Sequence, residues 1–293
     1  MVAEFNTKPP ISWFGGKFYI ARDIVNMIPK HTCFVEPFGG SGCVLFFKEP
    51  SKVEVYNDLN SWLVNLYRVI RNQPQELLDR LEFLPYSREE YHQGLKLYQE
   101  LRDTEHTLSD VEKAALFFLV VRSSFNAKVG SSFSYSAVSS KGSSWRNSME
   151  LIFPAHQRLR EVIIENIPFY ECFSRYDSVE TLFYLDPPYP AGTRVSSNDY
   201  EFEMTDDDHE EFILKCMDLE GMCIISSYHN SMYDGLLIND NESDNQWFYK
   251  DIDVCSHATG ITEFNQLDEK PRRTEVLYWN SAVENRKSQM VLF

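Results

Sequence analysis

The stretch that decides the fold is HTCFVEPFGGSGCVLFF, residues 31–47. Thr32 to Val35 is a short run of β-prone residues, and the turn formers Pro37 and Gly39 to Gly42 then interrupt it. From Cys43 to Lys48 the chain resumes with an apolar pattern typical of a helix. The order strand, glycine turn, helix predicts the start of an α/β fold. Glycines in such a turn let the backbone approach a ligand, although a plain structural loop uses the same residues.

A second predicted strand follows this helix. Lys52 to Tyr56 alternates between polar and apolar residues, and a helical pattern runs from Ser61 to Arg71. Together these elements predict a βαβ unit, in which the carboxyl ends of the strands line a ligand crevice. Asp58 stands at the end of the second strand, about 20 residues after the glycines, where an acid can hold a pair of ribose hydroxyls. An Asp at a strand end is otherwise a common turn or cap residue.

The texture of the chain changes twice after this unit. Residues 73–121 have the apolar spacing of helices, whereas Ser123 to Ser148 is rich in Ser and Gly and shows no helical period. This second stretch contains Phe125, Phe133, Tyr135 and Trp145, which favours a binding surface over a spacer. An α/β pattern returns near Leu159. The other predicted elements are strands at Thr181–Leu185, Gly221–Ser226 and Glu275–Trp279, and a helix from its N-cap Thr205 to Asp218.

Asp186-Pro187-Pro188-Tyr189 is the most specific motif in the sequence. Two consecutive prolines force an extended backbone, which holds the Asp186 carboxylate and the Pro187 carbonyl in one orientation. Both groups are hydrogen-bond acceptors, so they match the two N–H bonds of an amino group. Tyr189 then offers a flat face on which a nucleobase can stack. A Pro-Pro turn with an incidental Asp cap is the purely structural alternative.

Composition limits the class of protein. The 293 residues include 28 Lys+Arg, 44 Asp+Glu and 43% hydrophobic residues, as in ordinary globular proteins. The longest apolar run, Ala114 to Val121, is shorter than the roughly 18 residues of a membrane helix. The six cysteines form no C-x-x-C pair and the histidines are dispersed, so we expect reduced thiols and no metal. We expect a soluble intracellular protein.

The net charge of -16 argues against nucleic acid, which normally meets a basic face. The charge is uneven, however. Residues 122–160 contain six Lys or Arg and the single acid Glu150, so this stretch carries about +5 while the remainder carries about -21. Because local sign matters more than the sum, the middle segment can still face a polyanion.

Several motifs together resemble the Dam-like, D12-class N6-adenine DNA methyltransferases, particularly the phage and prophage type. In chain order they are Ser12-Trp-Phe-Gly-Gly-Lys17, Phe34-Val-Glu-Pro-Phe-Gly-Gly-Ser-Gly42, Tyr56-Asn-Asp-Leu-Asn60, Phe183-Tyr-Leu-Asp-Pro-Pro-Tyr189, Ser226-Ser-Tyr228, Tyr233-Asp234 and Arg273-Thr-Glu-Val-Leu-Tyr-Trp-Asn280. The resemblance implies a Rossmann-like class I methyltransferase sheet with an inserted, mostly helical target-recognition domain. The implied boundaries are 1–66 and 159–293 for the catalytic, cofactor-binding domain and 67–158 for the insertion.

The resemblance also implies the cofactor S-adenosylmethionine, with S-adenosylhomocysteine as product. Lys17 is expected near the methionine carboxylate, Asp58 at the ribose hydroxyls and Phe169 at the cofactor adenine. The residue before Phe169 is often Asp in the family and is Pro168 here, so the usual acid for the adenine amino group is missing. The implied cofactor-binding residues are Trp13, Gly15, Gly16, Lys17, Glu36, Pro37, Phe38, Gly39, Gly40, Ser41, Asp58, Phe169 and Asp186.

The implied reaction is direct methyl transfer to N6 of a flipped-out adenine in double-stranded DNA, with Asp186, Pro187, Pro188 and Tyr189 as the catalytic motif. The basic middle segment and the residues before the last strand are expected to contact the DNA, although solvated surface charges remain the alternative for each. The candidates are Arg122, Asn126, Lys128, Lys141, Trp145, Arg146, Asn147, Lys270, Arg272 and Arg273. We expect loop and helix residues Tyr200, Asp206 and His209 to cover the site.

The expected partner is double-stranded DNA, bound by a monomer or a weak dimer in the cytoplasm of a bacterial or phage-infected cell, without membrane or metal. Two alternatives stay open. One is another amino-group methyltransferase, acting on cytosine N4, RNA adenine or a glutamine side chain, which Asp rather than Ser or Asn before Pro-Pro-Tyr disfavours. The other is a non-catalytic regulator that binds the cofactor or DNA. The sequence does not reveal the target site, although GATC is the commonest in the family.

Overall fold

The computed structural model describes residues 7–104, 107–193, 202–238, 246–255 and 272–291, and within these every side chain except those of 191, 254–255, 272–273 and 289–291. In these ranges the chain forms a seven-stranded, mostly parallel sheet together with α-helices. The predicted α/β class with a Rossmann-like sheet is therefore confirmed.

The described ranges contain seven strands, twelve α-helices and three short helices of other types, at Phe125–Ala127, Ala191–Thr193 and Asp234–Ile238. The strands are β1 (Cys33–Glu36), β2 (Val53–Asn57), β3 (Ile163–Glu165), β4 (Thr181–Leu185), β5 (Met222–Ser227), β6 (Trp247–Cys255) and β7 (Arg272–Asn280). The helices are α1 (Ala21–Met27), α2 (Cys43–Phe47), α3 (Ser61–Asn72), α4 (Pro74–Glu82), α5 (Arg88–Leu101), α6 (Asp110–Ser123), α7 (Lys141–Glu150), α8 (Ile152–Leu159), α9 (Phe169–Tyr176), α10 (Asp206–Met217), α11 (Ser231–Tyr233) and α12 (Ser281–Val291).

The chain divides into two compact units. One is formed by residues 1–21 and 39–167, and the other by residues 22–38 and 168–293. The chain passes from one unit to the other between Phe38 and Gly39, inside the predicted glycine turn. The functional boundaries at residues 66 and 158 do not coincide with this structural division, and they stay a prediction.

The first unit combines a strand pair with a helical bundle. β2 and β3 are parallel, with Val55 opposite Ile163. Helix α3 begins at the N-cap Asn60, whose side chain accepts two backbone N–H bonds, and α6 begins with a capping box between Ser109 and Glu112. Such caps satisfy amides that a helix start leaves free. The helical character expected between residues 73 and 121 is confirmed by α4, α5 and α6.

The second unit contains five strands in the order β1-β4-β5-β7-β6. β1, β4 and β5 are parallel, and β7 runs antiparallel between β5 and β6. All five residues of β4 are buried, as the apolar run predicts. Because β1, β4 and β5 run in the same direction, their carboxyl ends lie at one edge of the sheet. Glu36, Asp186 and Tyr228 stand at these three ends.

One expectation for the middle segment was wrong. Residues 141–148, expected to lack a helix, belong to α7. The side chain of Ser140 caps this helix by accepting the N–H of Ser143, and Trp145 and Ser148 are buried on its inner face. A single buried tryptophan therefore stabilises a helix whose Ser- and Gly-rich sequence has no helical period.

Some features are missing from the part of the chain that the structure describes. No helix there is long and apolar enough to cross a membrane. No group of three or more His, Cys, Asp or Glu side chains there could hold a metal ion. The five described cysteine side chains are free thiols.

Candidate active site

The glycine turn of the first unit is closed by Asp58, which directly follows β2. One carboxylate oxygen of Asp58 accepts the backbone N–H of Gly40 at 2.9 Å, and the other accepts that of Asn60 at 2.8 Å. The N–H of Gly39 donates to Asn57 O at 2.8 Å. These amides thus stabilise the turn itself, so they are not free for a ligand. Asp58 is half-buried.

Two tyrosines fix the carbonyl groups of the same turn. The Tyr56 hydroxyl donates to Gly40 O at 2.6 Å, and the Tyr67 hydroxyl donates to Ser41 O at 2.8 Å. Both tyrosines are fully buried, with their ring centroids 4.8 Å apart. Hydrogen bonds therefore fix both the backbone N–H groups and the backbone carbonyl groups of the turn.

The N-terminal motif packs directly on this turn. A Cβ atom at Gly40, whose φ is +50°, would lie 2.9 Å from the Trp13 ring, and one at Gly16 would lie 3.3 Å from Ser41 Oγ. Gly16 N donates to Trp13 O at 3.1 Å, which forms a tight turn. Trp13, Gly15, Gly16, Gly39, Gly40 and Ser41, predicted from separate motifs, thus form one cluster in the first unit.

Lys17 ends this N-terminal motif and is almost completely buried, with 5% exposure. Its ammonium group donates to the carbonyl of Gly15 at 2.9 Å. A buried ammonium group needs compensating acceptors, and an anionic group is the strongest of these. The predicted position beside a cofactor carboxylate is compatible with this environment.

Aromatic residues surround the end of β1 in the second unit. Phe38 stacks on Phe169, the first residue of α9, with ring centroids 5.5 Å apart and planes at 30°. Phe212 of α10 contacts both rings edge-on. Phe38 and Phe169 are only half-buried, so they leave accessible apolar surface in this region. Glu36, at the end of β1, is 3% exposed.

The Asp186-Pro187-Pro188-Tyr189 motif directly follows β4, as predicted. Asp186 and Pro188 are half-buried, whereas Pro187 is buried. Tyr189 is 4% exposed, and its hydroxyl donates to a Glu275 carboxylate oxygen at 2.6 Å. The Tyr228 ring meets the Tyr189 ring edge-on, with centroids 4.7 Å apart. Because the Tyr189 ring is buried, a base that stacks on it must displace part of its cover.

Glu275 is the site residue that sequence reasoning did not identify. It was predicted only as the first residue of a strand, yet it lies on β7 and accepts a hydrogen bond from Tyr189. The terminal motif Arg273-Thr-Glu contained it, but no local pattern indicates a contact between residues 86 positions apart.

Burial, with nearby carboxylates, raises the pKa of two tyrosines of this site. Burial raises the pKa of Tyr189 well above its ordinary value, and the negative charges of Glu275 and Asp186 raise it further. Burial likewise raises the pKa of Tyr184, whose hydroxyl shares a hydrogen bond with Ser226 at 2.8 Å; Asp186, Glu36 and Glu275 add to the effect. A cluster of three acids favours a cationic group nearby.

Arg122 has a structural role in the described conformation. Its guanidinium donates to Ser12 Oγ and to Ser144 O, both at 3.1 Å. It thereby joins the N-terminal motif, α6 and α7 within the first unit. A phosphate contact would have to use its remaining donors.

Trp145 is not available as a surface contact. It is 5% exposed and packs against Phe118, with ring centroids 5.4 Å apart, and against Tyr86. The expectation that it touches DNA was therefore wrong for this conformation, because the aromatic residue stabilises the helical core. Its neighbours Arg146 and Asn147 are exposed on α7, and Lys141 begins the helix half-buried.

The segment before α7 forms an ordered hairpin-like loop. Ser124 and Phe133 make an antiparallel bridge, and the hydroxyls of Tyr86 and Tyr91 donate to the carbonyls of Ser134 and Ser131. These contacts anchor the Ser- and Gly-rich loop to α5 and to the segment before it. Exposed Asn126 has φ 54°, and Lys128 Nζ lies 5.5 Å from the Phe14 ring centroid.

Some predicted residues fall outside the described part of the chain. Tyr200 and Lys270 lie outside the described residues. The backbone of Arg272 and Arg273 is described, but their side chains are not. Asp206, expected over the site, is exposed in the first turn of α10. His209 is fully buried and its Nδ1 shares a hydrogen bond with the Tyr233 hydroxyl at 3.0 Å, which is a core role.

Comparison with known families adds an independent observation to this geometry. Residues 13–250 match the model of the D12 class N6 adenine-specific DNA methyltransferases. The chain belongs to this family. The matched range includes Trp13 to Lys17, the glycine turn, Asp58 and the Asp186 motif.

Individual relatives agree with this membership. The type II methyltransferase M1.LlaDCHI of Lactococcus lactis is 32% identical over 129 residues, 42% of this chain and 43% of its own length. The type II methyltransferase M.MjaIII of Methanocaldococcus jannaschii is 27% identical over 231 residues, 69% of this chain and 76% of its own. The DNA adenine methylase of Salmonella typhi is 32% identical over 111 residues, 37% and 38% of the two chains. The first and third alignments thus span less than half of these relatives.

Proposed function

We propose that this protein is a site-specific DNA adenine N6-methyltransferase that uses S-adenosylmethionine. The observation that carries the proposal is the acceptor pair after β4: Asp186 and the Pro187 carbonyl stand on a turn that two prolines stiffen and whose Tyr189 is bound to Glu275. Family membership and the names of the relatives support the same reaction.

The residues present fit the proposed cofactor. The cluster formed by Trp13, Gly16 and Gly40 is a backbone cradle in which added Cβ atoms would crowd their neighbours. Asp58 supplies a carboxylate, the group that commonly binds ribose hydroxyls, and Lys17 supplies a buried cation that suits a carboxylate. Phe38 and Phe169 offer apolar surface on which the adenine ring of the cofactor can pack. This contact takes the place of the family's usual acid, at whose position Pro168 stands. When bound, S-adenosylmethionine supplies an activated methyl group on a sulfonium.

The chain's own groups then orient the acceptor nitrogen. Asp186 and the Pro187 carbonyl each accept a hydrogen bond from the adenine amino group. These two hydrogen bonds orient the amino group so that its lone pair points away from both acceptors. No covalent enzyme intermediate is needed, because the nucleophile belongs to the substrate. Positioning supplies much of the acceleration. Asp186 can accept the released proton after the methyl group has moved.

Extrusion of the target base is part of this proposal. Unstacking an adenine costs a few kcal/mol, which contacts in the enzyme must offset. Asp186 and Pro187 contribute acceptor contacts, and Tyr189 contributes an aromatic face once its cover moves. The rigid attachment of Tyr189 to Glu275 suits such a face.

DNA recognition is assigned to the segment 67–158. Its exposed polar residues Asn126, Arg146 and Asn147 can reach base edges, and Lys128 and Lys141 can reach phosphates. Lys270, Arg272 and Arg273 are proposed to contact the backbone of the duplex. We further propose that the protein acts in the cytoplasm of a bacterial or phage-infected cell, as a monomer or weak dimer on DNA.

Expression in a bacterial host that lacks adenine methylation tests the proposal. Long-read sequencing of the host genome should reveal N6-methyladenine in one short sequence context with the wild-type protein and none with Asp186→Ala. A genome without N6-methyladenine despite folded wild-type protein would contradict the proposal, as would the same pattern with both proteins.

A further inference from the structure

The hydrogen bond between Tyr189 and Glu275 connects the catalytic turn to a strand far along the sequence. The donor–acceptor distance of 2.6 Å is that of a short hydrogen bond between a hydroxyl and a carboxylate oxygen. Tyr189 stays protonated because burial raises its pKa, so its hydroxyl remains a donor at neutral pH. The edge of Tyr228 supports the same ring.

The sheet register explains why Glu275 reaches this position. On β7, Leu277 is opposite Ser226 of β5, and Glu275 is opposite Ile252 of β6. Successive residues of a strand point to opposite faces, so Glu275 shares a face with Leu277 and Ser226. The Ser226 hydroxyl binds Tyr184, which precedes Asp186 by two positions. Glu275 thus lies on the same face of the sheet as Ser226 and Tyr184.

The two ends of the motif are held by different means. At the start, Pro187 and Pro188 restrict the backbone just after β4. At the end, the only covalent restraint on the Tyr189 ring is its own side chain, which rotates about two bonds. The hydrogen bond to Glu275 restricts this rotation, because Glu275 lies on β7, which is paired with both β5 and β6.

We propose that Glu275 is a positioning residue for methyl transfer: by binding the Tyr189 hydroxyl, it fixes the tyrosine ring and the Asp186-Pro187 acceptor pair relative to the target amino group. This inference rests on the proposed function. It predicts a loss in the rate of the chemical step, because misorientation of reacting groups slows reaction more than it weakens binding.

Steady-state and single-turnover kinetics of Glu275→Leu, Glu275→Gln and Tyr189→Phe test the inference. Glu275→Leu removes the hydrogen bond to the carboxylate, so we expect kcat to fall by roughly 10- to 100-fold. The KM for the cofactor should change by less than about threefold. Glu275→Gln keeps an acceptor oxygen and should recover most of the rate. Thr274→Val, on the opposite face of β7, is the matched control and should retain the wild-type kcat.

The double variant Tyr189→Phe/Glu275→Leu separates positioning from a merely structural role. If Glu275 acts through the Tyr189 hydroxyl, the double variant should be no slower than the slower single variant. Losses that multiply would overturn the inference, as would a Glu275→Leu variant with wild-type kcat. If Glu275→Leu does not fold, the same cycle with Glu275→Ala, which also removes the acceptor and whose folding is checked by thermal unfolding, distinguishes these outcomes. Wild-type protein that transfers no methyl group to DNA would instead refute the proposed function.

Discussion

The carboxylate of Asp58 accepts the backbone N–H of Gly40 at 2.9 Å, so the acid that follows β2 closes the glycine turn that follows β1. The residue proposed to bind the ribose therefore also shapes the turn proposed to surround the rest of the cofactor. Loss of its charge should affect both properties together.

We expect Asp58→Asn to weaken binding of S-adenosylhomocysteine by roughly 10- to 100-fold, the value of a hydrogen bond to a charged group. The amide can accept one of the two N–H bonds but presents its own NH2 group to the other, so the melting temperature should also fall. Isothermal titration calorimetry and thermal unfolding measure the two effects. Exposed Asp103→Asn is the control, and equal affinities of the Asp58 and Asp103 variants would contradict the assignment.

Gly39→Ala should distort the same turn by steric contact. An added Cβ atom would lie 2.3 Å from the Tyr56 ring and 2.8 Å from Asn57 O, and the buried ring has no room to withdraw. We expect a lower melting temperature and weaker cofactor binding. Gly142→Ala in α7 is the control, because its Cβ atom meets nothing within 4 Å and alanine favours a helix. A Gly39→Ala variant as stable as the Gly142 variant would show that the turn is more adaptable than described.

A buried ion cluster should dominate the acid sensitivity of the first unit. The Glu54 carboxylate, 5% exposed, binds Lys48 and Arg158, which are also buried. Burial alone raises the pKa of Glu54, but the hydrogen bonds and positive charges of Arg158 and Lys48 outweigh it and lower the pKa.

Glu54→Gln leaves two buried cations without their anion, so we expect a loss of about 3–5 kcal/mol in the free energy of unfolding. In the wild type, a lowered pKa means that Glu54 stabilises the fold above its unfolded pKa of about 4.3 and loses this contribution as the pH falls through the folded pKa. Urea unfolding at neutral and acidic pH measures both effects. A variant that retains its stability at neutral pH would refute the role of the cluster.

Arg146→Gln should weaken DNA binding by removing one phosphate or base contact. If the residue binds a phosphate, the slope of log affinity against log salt should decrease in magnitude by about 1. Arg175→Gln in α9, where Arg175 pairs with Glu171, is the control and should leave the slope unchanged. Identical slopes for both variants would remove α7 from the proposed DNA surface, and an affinity insensitive to salt would remove the basic segment as a whole.

Local patterns predicted the elements that carry the candidate site. β1, β2, β4 and β5 were expected within one or two residues of their bounds, because apolar runs and turn formers mark both ends of each strand. Thr205 was identified as the N-cap of α10 from the acids that follow it, and it forms a capping box with Asp208.

Features that depend on tertiary contacts could not be predicted in this way. Trp145 was expected on a DNA-facing loop, but its burial against Phe118 creates helix α7. Arg122 was proposed as a DNA contact, and no local pattern indicated its hydrogen bond to Ser12, 110 positions away. The partnership of Tyr189 with Glu275 likewise depends on the register of β7, which no local pattern reveals.

Transfer of a labelled methyl group tests the central claim most directly. The purified protein is incubated with labelled S-adenosylmethionine and unmethylated DNA, the DNA is digested to nucleosides, and Asp186→Ala serves as the control. The account predicts label in N6-methyl-2'-deoxyadenosine for the wild type alone. Label on cytosine, RNA or protein, or no transfer by folded wild-type protein, would contradict it.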